Sequence, residues 1–316
     1  MSDQASPNTP AASRTVLLFG EVLMDRFPDR DVLGGAPFNV ARHLRGFGLA
    51  PVLVTRIGAD SAGAEVLQAM DRFGMDVRGV QRDAAHPTGR VQIRLDADGH
   101  SFEILPDQAY DHILAHDAQQ IVRSADPELV YFGTLAQRAA SHQALQAMLQ
   151  AGDAHAFLDV NLRDPWVDLD VLRWSLQHAD TVKVNEEELD RIAAWMDAGG
   201  DTPVARAEAL IANFGLQSLL VTRGEKGAWW LDSAGRHESV AGEPVADLVD
   251  SVGAGDAFAS VCIIGHLLRW PMSETLHRAR DFAAGICRLR GAIPVDDAYY
   301  ARLSAAWGLA SATATR

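Results

Sequence analysis

The sequence predicts an α/β fold in which helices cover both faces of a mostly parallel sheet. Short apolar runs typical of buried strands recur along the chain, and segments with helical periodicity separate them. Because parallel strands need crossover connections, this alternation predicts a core of three layers. One segment instead alternates polar and apolar residues, and it predicts a second, small sheet.

The core elements follow from these runs in chain order. Apolar runs predict strands at 16–19, 52–55, 129–132, 156–159, 181–184 and 219–222. Helical periodicity predicts helices near 61–73, 138–151, 168–178, 186–196 and 204–213, and an apolar helix at 257–268. Continuous apolar character is typical of strands that are buried on both faces of a sheet.

The small sheet is predicted by residues 90–96 and 101–105, which alternate with period two around an Asp98-Gly99 turn. Asp-Gly between alternating strands favours a β-hairpin. A half-polar hairpin does not suit a buried parallel sheet, so we expect it to project from the core. Together, about 21–33 and 88–108 would form a lid that closes over a substrate and excludes water.

The chain is expected to be one domain, 14–308, with disordered tails at 1–13 and 309–316, where small and polar residues dominate. Its net charge of −14 argues against a nucleic-acid or anionic-membrane partner. Both cysteines lie in apolar helical stretches, there is no long apolar run, and the N-terminus lacks signal-peptide features. We therefore expect a cytoplasmic protein.

The most informative motif is Gly253-Ala254-Gly255-Asp256, directly before the apolar helix. Backbone amides at a helix start carry partial positive charge and lack partners within the helix, so they suit a phosphoryl group. Asp256 would lie beside that group. An anion site next to a carboxylate is what a kinase needs, although a glycine turn with a capping acid would have the same sequence.

A second group of residues suits the hydroxyl groups of a sugar. Gly34 and Gly35 permit close approach of the backbone, and Asn39 offers donors and acceptors before a helical run at 40–47. Asp25 follows the first strand. Asp159, Asn161 and Arg163 would share one side if the strand at 156–159 stayed extended. Turns, caps and salt bridges are the structural alternatives.

A third group suits a nucleotide. Asn185 and Glu188 have the spacing of a capping box, and they could also contact water around a magnesium ion. Thr222, Gly224 and Gly227 could flank phosphates or form a hairpin turn. The sequence lacks the P-loop motif, and Phe258 stands where a dinucleotide fingerprint needs glycine.

Taken together and in this order, from about residue 15 to 300, these segments resemble the ribokinase-like (PfkB) family of sugar kinases, closest to its fructokinase branch. The resemblance implies a Rossmann-like core with a β-sheet lid, and ATP-dependent phosphorylation of a sugar hydroxymethyl group. It implies that Asp256 is the catalytic base and that 253–255 form an anion hole. The implied sugar contacts are Asp25, Gly34, Gly35, Asn39 and Arg163.

The same resemblance implies further ligand contacts. The implied nucleotide contacts are Lys183, Asn185, Thr222, Gly224, Gly227, Gly253 and Gly255. Magnesium, which accompanies ATP, would be contacted through water by Asn185 and Glu188. A monovalent cation, K⁺, would lie near Asp250 and the backbone of Val252 and of the residues after Ala284.

The substrate choice stays open among alternatives. Fructose, phosphorylated to fructose 6-phosphate, is the first expectation. A 2-keto-3-deoxygluconate kinase would need an extra cation for the substrate carboxylate, for which Arg90, Arg94 and Arg138 are candidates. A non-catalytic sugar- or nucleotide-binding scaffold is the alternative of another class. Apolar residues of the hairpin could also form a homodimer interface through the lid.

Overall fold

The structure, a computed structural model, describes residues 14–26, 30–96 and 99–309, and it describes side chains outside 93–102. The strands have the following bounds: Thr15–Phe19 (β1), Leu23–Arg26 (β2), Asp31–Gly34 (β3), Ala50–Gly58 (β4), Val80–Asp83 (β5), Gly89–Asp96 (β6), Gly99–Ile104 (β7), Leu129–Phe132 (β8), His155–Asp159 (β9), Thr181–Asn185 (β10), Ser218–Thr222 (β11), Gly227–Asp232 (β12) and His237–Ala241 (β13). The helices have these bounds: Ala36–Gly46 (α1), Ser61–Arg72 (α2), Ala115–Ala125 (α3), Ala139–Leu149 (α4), Leu169–Gln177 (α5), Glu186–Trp195 (α6), Pro203–Phe214 (α7), Ala254–Leu268 (α8), Met272–Ile286 (α9) and Ala298–Trp307 (α10).

The large sheet has the strand order β13-β12-β11-β10-β9-β8-β1-β4-β5. From β11 to β5 every neighbouring pair is parallel, while β12 and β13 extend the sheet in antiparallel fashion. Successive side chains of β1 enter opposite cores. Val16 and Leu18 pack with α1, α2, α8, α9 and α10, whereas Leu17 and Phe19 pack with α3 to α7. The predicted three-layer α/β class is confirmed.

The small sheet, here called the lid, has the order β3-β2-β6-β7. Its β6 and β7 form the antiparallel hairpin that the alternating pattern predicts, with Asp96 opposite Gly99. In contrast, β2 and β6 pair in parallel. Because β2 follows the carboxyl end of β1 after only three residues, the lid stands at the edge of the large sheet where ligands bind in open α/β folds.

Several boundaries differ from the sequence prediction. The first helix begins at Ala36 and not at 40, because Gly35 at φ 105° is its N-cap and Pro37 suits the first turn. Leu309, which the prediction gave to a tail, is buried in the core. Both predicted tails otherwise lie outside the described residues. Among the described residues, no helix is long and apolar enough to cross a membrane.

Candidate active site

Helix α8 presents its N-terminus at the same edge of the sheet as the lid. Its N-cap, Gly253, has φ 81°, and an added Cβ would overlap Ala292. Only glycine fits a left-handed position with such a close neighbour. The first amides of α8 lack acceptors within their own helix, and Ala254 N–H donates to the carbonyl oxygen of Ser251 at 3.3 Å. This helix start, at 253–255, suits an anion.

Asp256 lies in the first turn of α8 and is held by a residue from the other end of the chain. Asn39 Nδ2 donates a hydrogen bond of 2.8 Å to Asp256 Oδ2. Asn39 is buried, and its Oδ1 accepts no hydrogen bond from the described residues. The pair therefore fixes one carboxylate oxygen of Asp256 and leaves a buried acceptor that a ligand hydroxyl would satisfy.

Burial raises the pKa of Asp256 to about 6, and the hydrogen bond from Asn39 opposes that rise. The negative charge of Asp159 raises this pKa further, whereas Lys183 and Arg163 lower it. A carboxylate with a raised pKa is a better proton acceptor than an ordinary one and still ionises at neutral pH. The geometry and the pKa both suit Asp256 for the base that the sequence predicts.

The lid brings Asp25 against the paired glycines. A Cβ on Gly34 would lie 2.8 Å from Asp25 Oδ2, and a Cβ on Gly35 would lie 2.6 Å from the carbonyl oxygen of Glu21. Both glycines therefore allow a close approach that any other residue would block. Burial raises the pKa of Asp25 to about 6, while Arg163 opposes that rise.

Glu21 is a further acid at this edge of the sheet that the sequence motifs did not single out. Its side chain is 5% exposed, and burial raises its pKa to about 7. Hydrogen bonds from the backbone amides of Glu21 and Ala36 oppose that rise. Asp256 raises this pKa further, and Arg163 lowers it. The signal that could have found Glu21 is its place directly after the first strand, where side chains reach the ligand edge of the sheet.

Arg163 is an exposed residue whose charge acts on three carboxyl groups, those of Glu21, Asp25 and Asp256. Its alignment with Asp159 was expected only if the strand stayed extended, and that condition is not met. The strand ends at Asp159, and the backbone then turns through φ 46° at Asn161, so the extended conformation does not continue. Arg163 thus reaches the acidic group from a loop.

Lys183 does not line the nucleotide groove as the resemblance implied. Its Nζ lies 2.7 Å from Asp159 Oδ1, and the two side chains are 4% and 0% exposed. Burial opposes the charge of Lys183, but the Asp159 carboxylate outweighs it and raises the pKa of the amine. Since a Cβ on Gly255 would lie 3.5 Å from this Nζ, the ion pair lies directly beneath the anion hole.

A cavity of about 250 Å³ extends from the anion hole between α8, α9 and the β11–β12 turn. Thr222, Gly224, Gly227, Ala254 and Gly255 all line it. Its apolar wall consists of Val245, Leu248, Phe258, Ala283 and Ala284. An apolar slot that ends at a helix N-terminus suits a purine ring with phosphates attached.

Asn185 and Glu188 form the capping box that their spacing predicts. Glu188 N–H donates to Asn185 Oδ1 at 2.8 Å, and Asn185 N–H donates to Glu188 Oε2 at 2.9 Å. The other oxygen, Oε1, accepts from Leu162 N–H at 2.8 Å. Each carboxylate oxygen keeps a lone pair, so the pair still fits water molecules around a magnesium ion.

Asp250 connects the two loops that would surround a monovalent cation. Its carboxylate accepts hydrogen bonds from Val252 N–H at 3.0 Å and Gly291 N–H at 3.2 Å. Its own N–H donates to the carbonyl oxygen of Cys287 at 3.2 Å. The carboxylate and neighbouring carbonyl groups supply the oxygen ligands that a hard cation prefers.

Residues 17–298 match the profile of the pfkB family carbohydrate kinases. This chain belongs to that family. It is therefore an enzyme, a kinase that phosphorylates a carbohydrate at the expense of ATP. The predicted family and fold are confirmed, and the alternative of a non-catalytic scaffold is set aside.

The proteins that this kinase resembles are named for more than one substrate. A fructokinase of Escherichia coli is 31% identical over 270 residues, which cover 80% of this chain and 84% of that protein. A fructokinase double mutant of Vibrio cholerae O395, solved with fructose, ADP and a potassium ion, has a TM-score of 0.75 at 23% identity and covers 93% and 99% of the two chains. A 2-dehydro-3-deoxygluconokinase of Thermotoga maritima has a TM-score of 0.75 at 16% identity, with 92% and 98% covered. At these identities the two solved structures establish the fold of the kinase.

Two of the arginines that could bind a substrate carboxylate already have acidic partners in the kinase. Arg138 makes a two-point contact with the buried Asp111, at 2.8 and 3.0 Å, and its guanidinium stacks over the Trp166 ring. Arg90 lies 3.5 Å from Asp60 Oδ2. The side chain of Arg94 lies outside the described residues.

Proposed function

We propose that this kinase transfers the γ-phosphoryl group of ATP to the hydroxymethyl group of fructose and forms fructose 6-phosphate. One observation carries the choice of a neutral sugar. Among the described side chains, the sugar side of the site holds three carboxyl groups, Glu21, Asp25 and Asp256, and their pKa values share one guanidinium as a cause, that of Arg163. Such a site favours a neutral polyol, whose hydroxyls can donate to carboxylates, over a substrate with its own carboxylate.

The chemistry would follow from the positions of Asp256 and the anion hole. Asp256 orients the acceptor hydroxyl and accepts its proton, while the amides of 253–255 stabilise the charge of the phosphoryl group. Phosphoryl transfer depends mainly on alignment and charge stabilisation, so a carboxylate suffices as the base. Magnesium bound with ATP would neutralise phosphate charge, and Asn185 and Glu188 would contact its water molecules.

The assignment is tested by measuring ADP release with fructose and with 2-keto-3-deoxygluconate, each at saturating MgATP. We expect kcat/KM for fructose to exceed that for the acid at least a hundredfold, with Asp256→Asn as the inactive control. Phosphorus NMR of the product should show phosphate on the terminal hydroxymethyl carbon. A preference for 2-keto-3-deoxygluconate would overturn the assignment and favour Arg94 as the residue that binds the substrate carboxylate.

Three further properties belong to this proposal. Potassium at Asp250 is supported by the ion in the Vibrio cholerae fructokinase, and replacing K⁺ with tetramethylammonium should lower activity.

A homodimer through the lid is testable by analytical ultracentrifugation. Within the lid, Val91 already packs on Leu23 and Ile104 of its own chain. We also propose a cytoplasmic location, where ATP is abundant, which cell fractionation would test.

A further inference from the structure

Two histidines and an aspartate meet where the lid hairpin joins the core. His86 precedes β6, and Asp107 and His112 follow β7, so the group includes both connections of the hairpin. One ligand atom from each of the three residues lies within 4.8 Å of the others. None of them belongs to the sugar site or to the nucleotide groove, so the kinase reaction does not account for this group.

The three side chains bring potential metal ligands close together, although the two stacked imidazole rings must turn before both can bind one ion. The imidazole rings of His86 and His112 stack with centroids 3.7 Å apart. Asp107 Oδ1 lies 2.7 Å from His112 Nε2 and 3.6 Å from His86 Nε2. The side chains of the histidines are 27% and 25% exposed, so an ion could enter and keep water in its remaining positions.

Asp83 supplies the outer contact that metal-binding histidines usually have. Its Oδ2 lies 3.0 Å from His86 Nδ1, which directs the lone pair of Nε2 toward Asp107. Asp83 is itself buried and fixed, since it accepts the amides of Ala85 and His86 and pairs with Arg56 at 2.8 Å. The Asp83 carboxylate thereby neutralises the positive charge of Arg56, so Arg56 does not repel a metal ion at the site.

The ligand set selects a class of ion. Two imidazoles and one carboxylate suit Zn²⁺ and its first-row neighbours, whereas Mg²⁺ and Ca²⁺ prefer oxygen ligands alone. Two atoms bound to zinc at a tetrahedral angle lie about 3.4 Å apart, given bonds of about 2.0–2.2 Å. The observed separations of 2.7 and 3.6 Å from Asp107 Oδ1 to the two Nε2 atoms bracket that value. Rotation of the imidazole rings out of their stack would complete the site.

We propose that His86, Asp107 and His112 bind one divalent transition-metal ion of the zinc type at the base of the lid. The ion joins the chain segment that leads into β6 to the segment that leaves β7. It therefore stiffens both connections of the hairpin to the core, without contacting sugar or nucleotide.

The test is calorimetric titration of the full-length, chelator-stripped protein with zinc chloride, without sugar or ATP. We expect one saturable equivalent. His86→Gln and His112→Gln should each weaken binding at least about tenfold, and Asp83→Asn, which acts through His86, by roughly 10–100-fold. His237→Gln, an exposed histidine on the edge strand β13, is the matched control and should bind zinc normally. Magnesium should give no such signal.

Circular dichroism establishes that each variant is folded, and the exposed Asp107→Asn provides a further variant should either histidine change destabilise the chain. Zinc should also slow hydrogen exchange of amides 88–91 in the wild type and not in His86→Gln. Absence of saturable zinc binding, or equal binding by wild type and both histidine variants, would overturn the site. Binding without protection of 88–91 would overturn the stiffening role. None of these readouts depends on the sugar that the kinase phosphorylates.

Discussion

At the scale of single residues, the proposed sugar side of the active site contains acids that burial keeps partly protonated near neutral pH. The pKa of Glu21 is raised to about 7, and the pKa values of Asp25 and Asp256 are raised to about 6. Burial is the largest cause in each case. Neighbouring carboxyl groups titrate as a set, and the groups with the lower pKa values ionise first as the pH rises.

The ionisation of Asp256 predicts the pH dependence of the reaction. A base acts when it is deprotonated, so kcat/KM for the sugar should fall about tenfold per pH unit below pH 6 and level off above it. Glu21 has a pKa of about 7 and is therefore mostly protonated at pH 6, so Glu21→Gln should leave the midpoint nearly unchanged. Glu208→Gln, an exposed residue on α7, is the control. A flat profile between pH 5 and 8 would contradict the role of Asp256.

Asp256→Asn should separate catalysis from stability. Loss of the base lowers kcat by roughly 10²–10⁴-fold. The raised pKa means that the folded state holds the proton more tightly than the unfolded state. The charged form of Asp256 therefore lowers the free energy of unfolding above pH 6. This cost is absent below the pKa of the unfolded state, near 3.8. Asn should thus raise the free energy of unfolding at pH 8 by about 1–3 kcal/mol, with no gain at pH 4, as measured by denaturant titration.

At the scale of elements, the start of α8 sets the position of the proposed anion hole. The left-handed backbone at Gly253 lets the chain turn sharply before the helix, and Ala292 fills the space that a side chain would need. Beneath the first turn, the Lys183–Asp159 ion pair supports Gly255 from inside the sheet. The amides are therefore fixed before any ligand arrives, which is the condition for electrostatic stabilisation.

Gly253→Ala should damage both the helix start and catalysis. The strained φ and the overlap with Ala292 together cost on the order of 2–4 kcal/mol. Gly235→Ala is the matched control, because Gly235 has a similar φ of 79° but no atom within 4 Å of the added Cβ. It should cost about 1–2 kcal/mol and leave kcat unchanged. Equal destabilisation by both substitutions would show that Ala292 plays no part.

At the scale of the whole molecule, the sequence predicted the architecture and the residues whose positions depend on local pattern. Apolar runs predicted the central strands, and the Asp-Gly turn predicted the lid hairpin. The edge strands β5 and β13 were missed because they are short and largely polar, so no apolar run marks them. Lys183 was misplaced and Glu21 overlooked because burial and ion pairing depend on tertiary packing, which periodicity does not report.

The net charge of −14 predicts how the whole kinase responds to salt. ATP is an anion and must approach a negatively charged surface, so screening should help its binding. Raising tetramethylammonium chloride from low to moderate ionic strength, at constant K⁺ and Mg²⁺, should lower KM for MgATP by roughly two- to fivefold. KM for the neutral sugar is the internal control and should stay constant. A rise in KM for MgATP would point to a local basic approach path.

The hydrogen bond between Asn39 and Asp256 joins residues that are 217 positions apart. During synthesis, the N-terminal part of the sugar site emerges from the ribosome long before its base, and α1 must wait for α8 to cover its apolar face. A nascent or truncated chain that stops before α8 would therefore hold half of a sugar pocket and consume no ATP. Both halves of the site are therefore present only in a chain that includes α1 and α8.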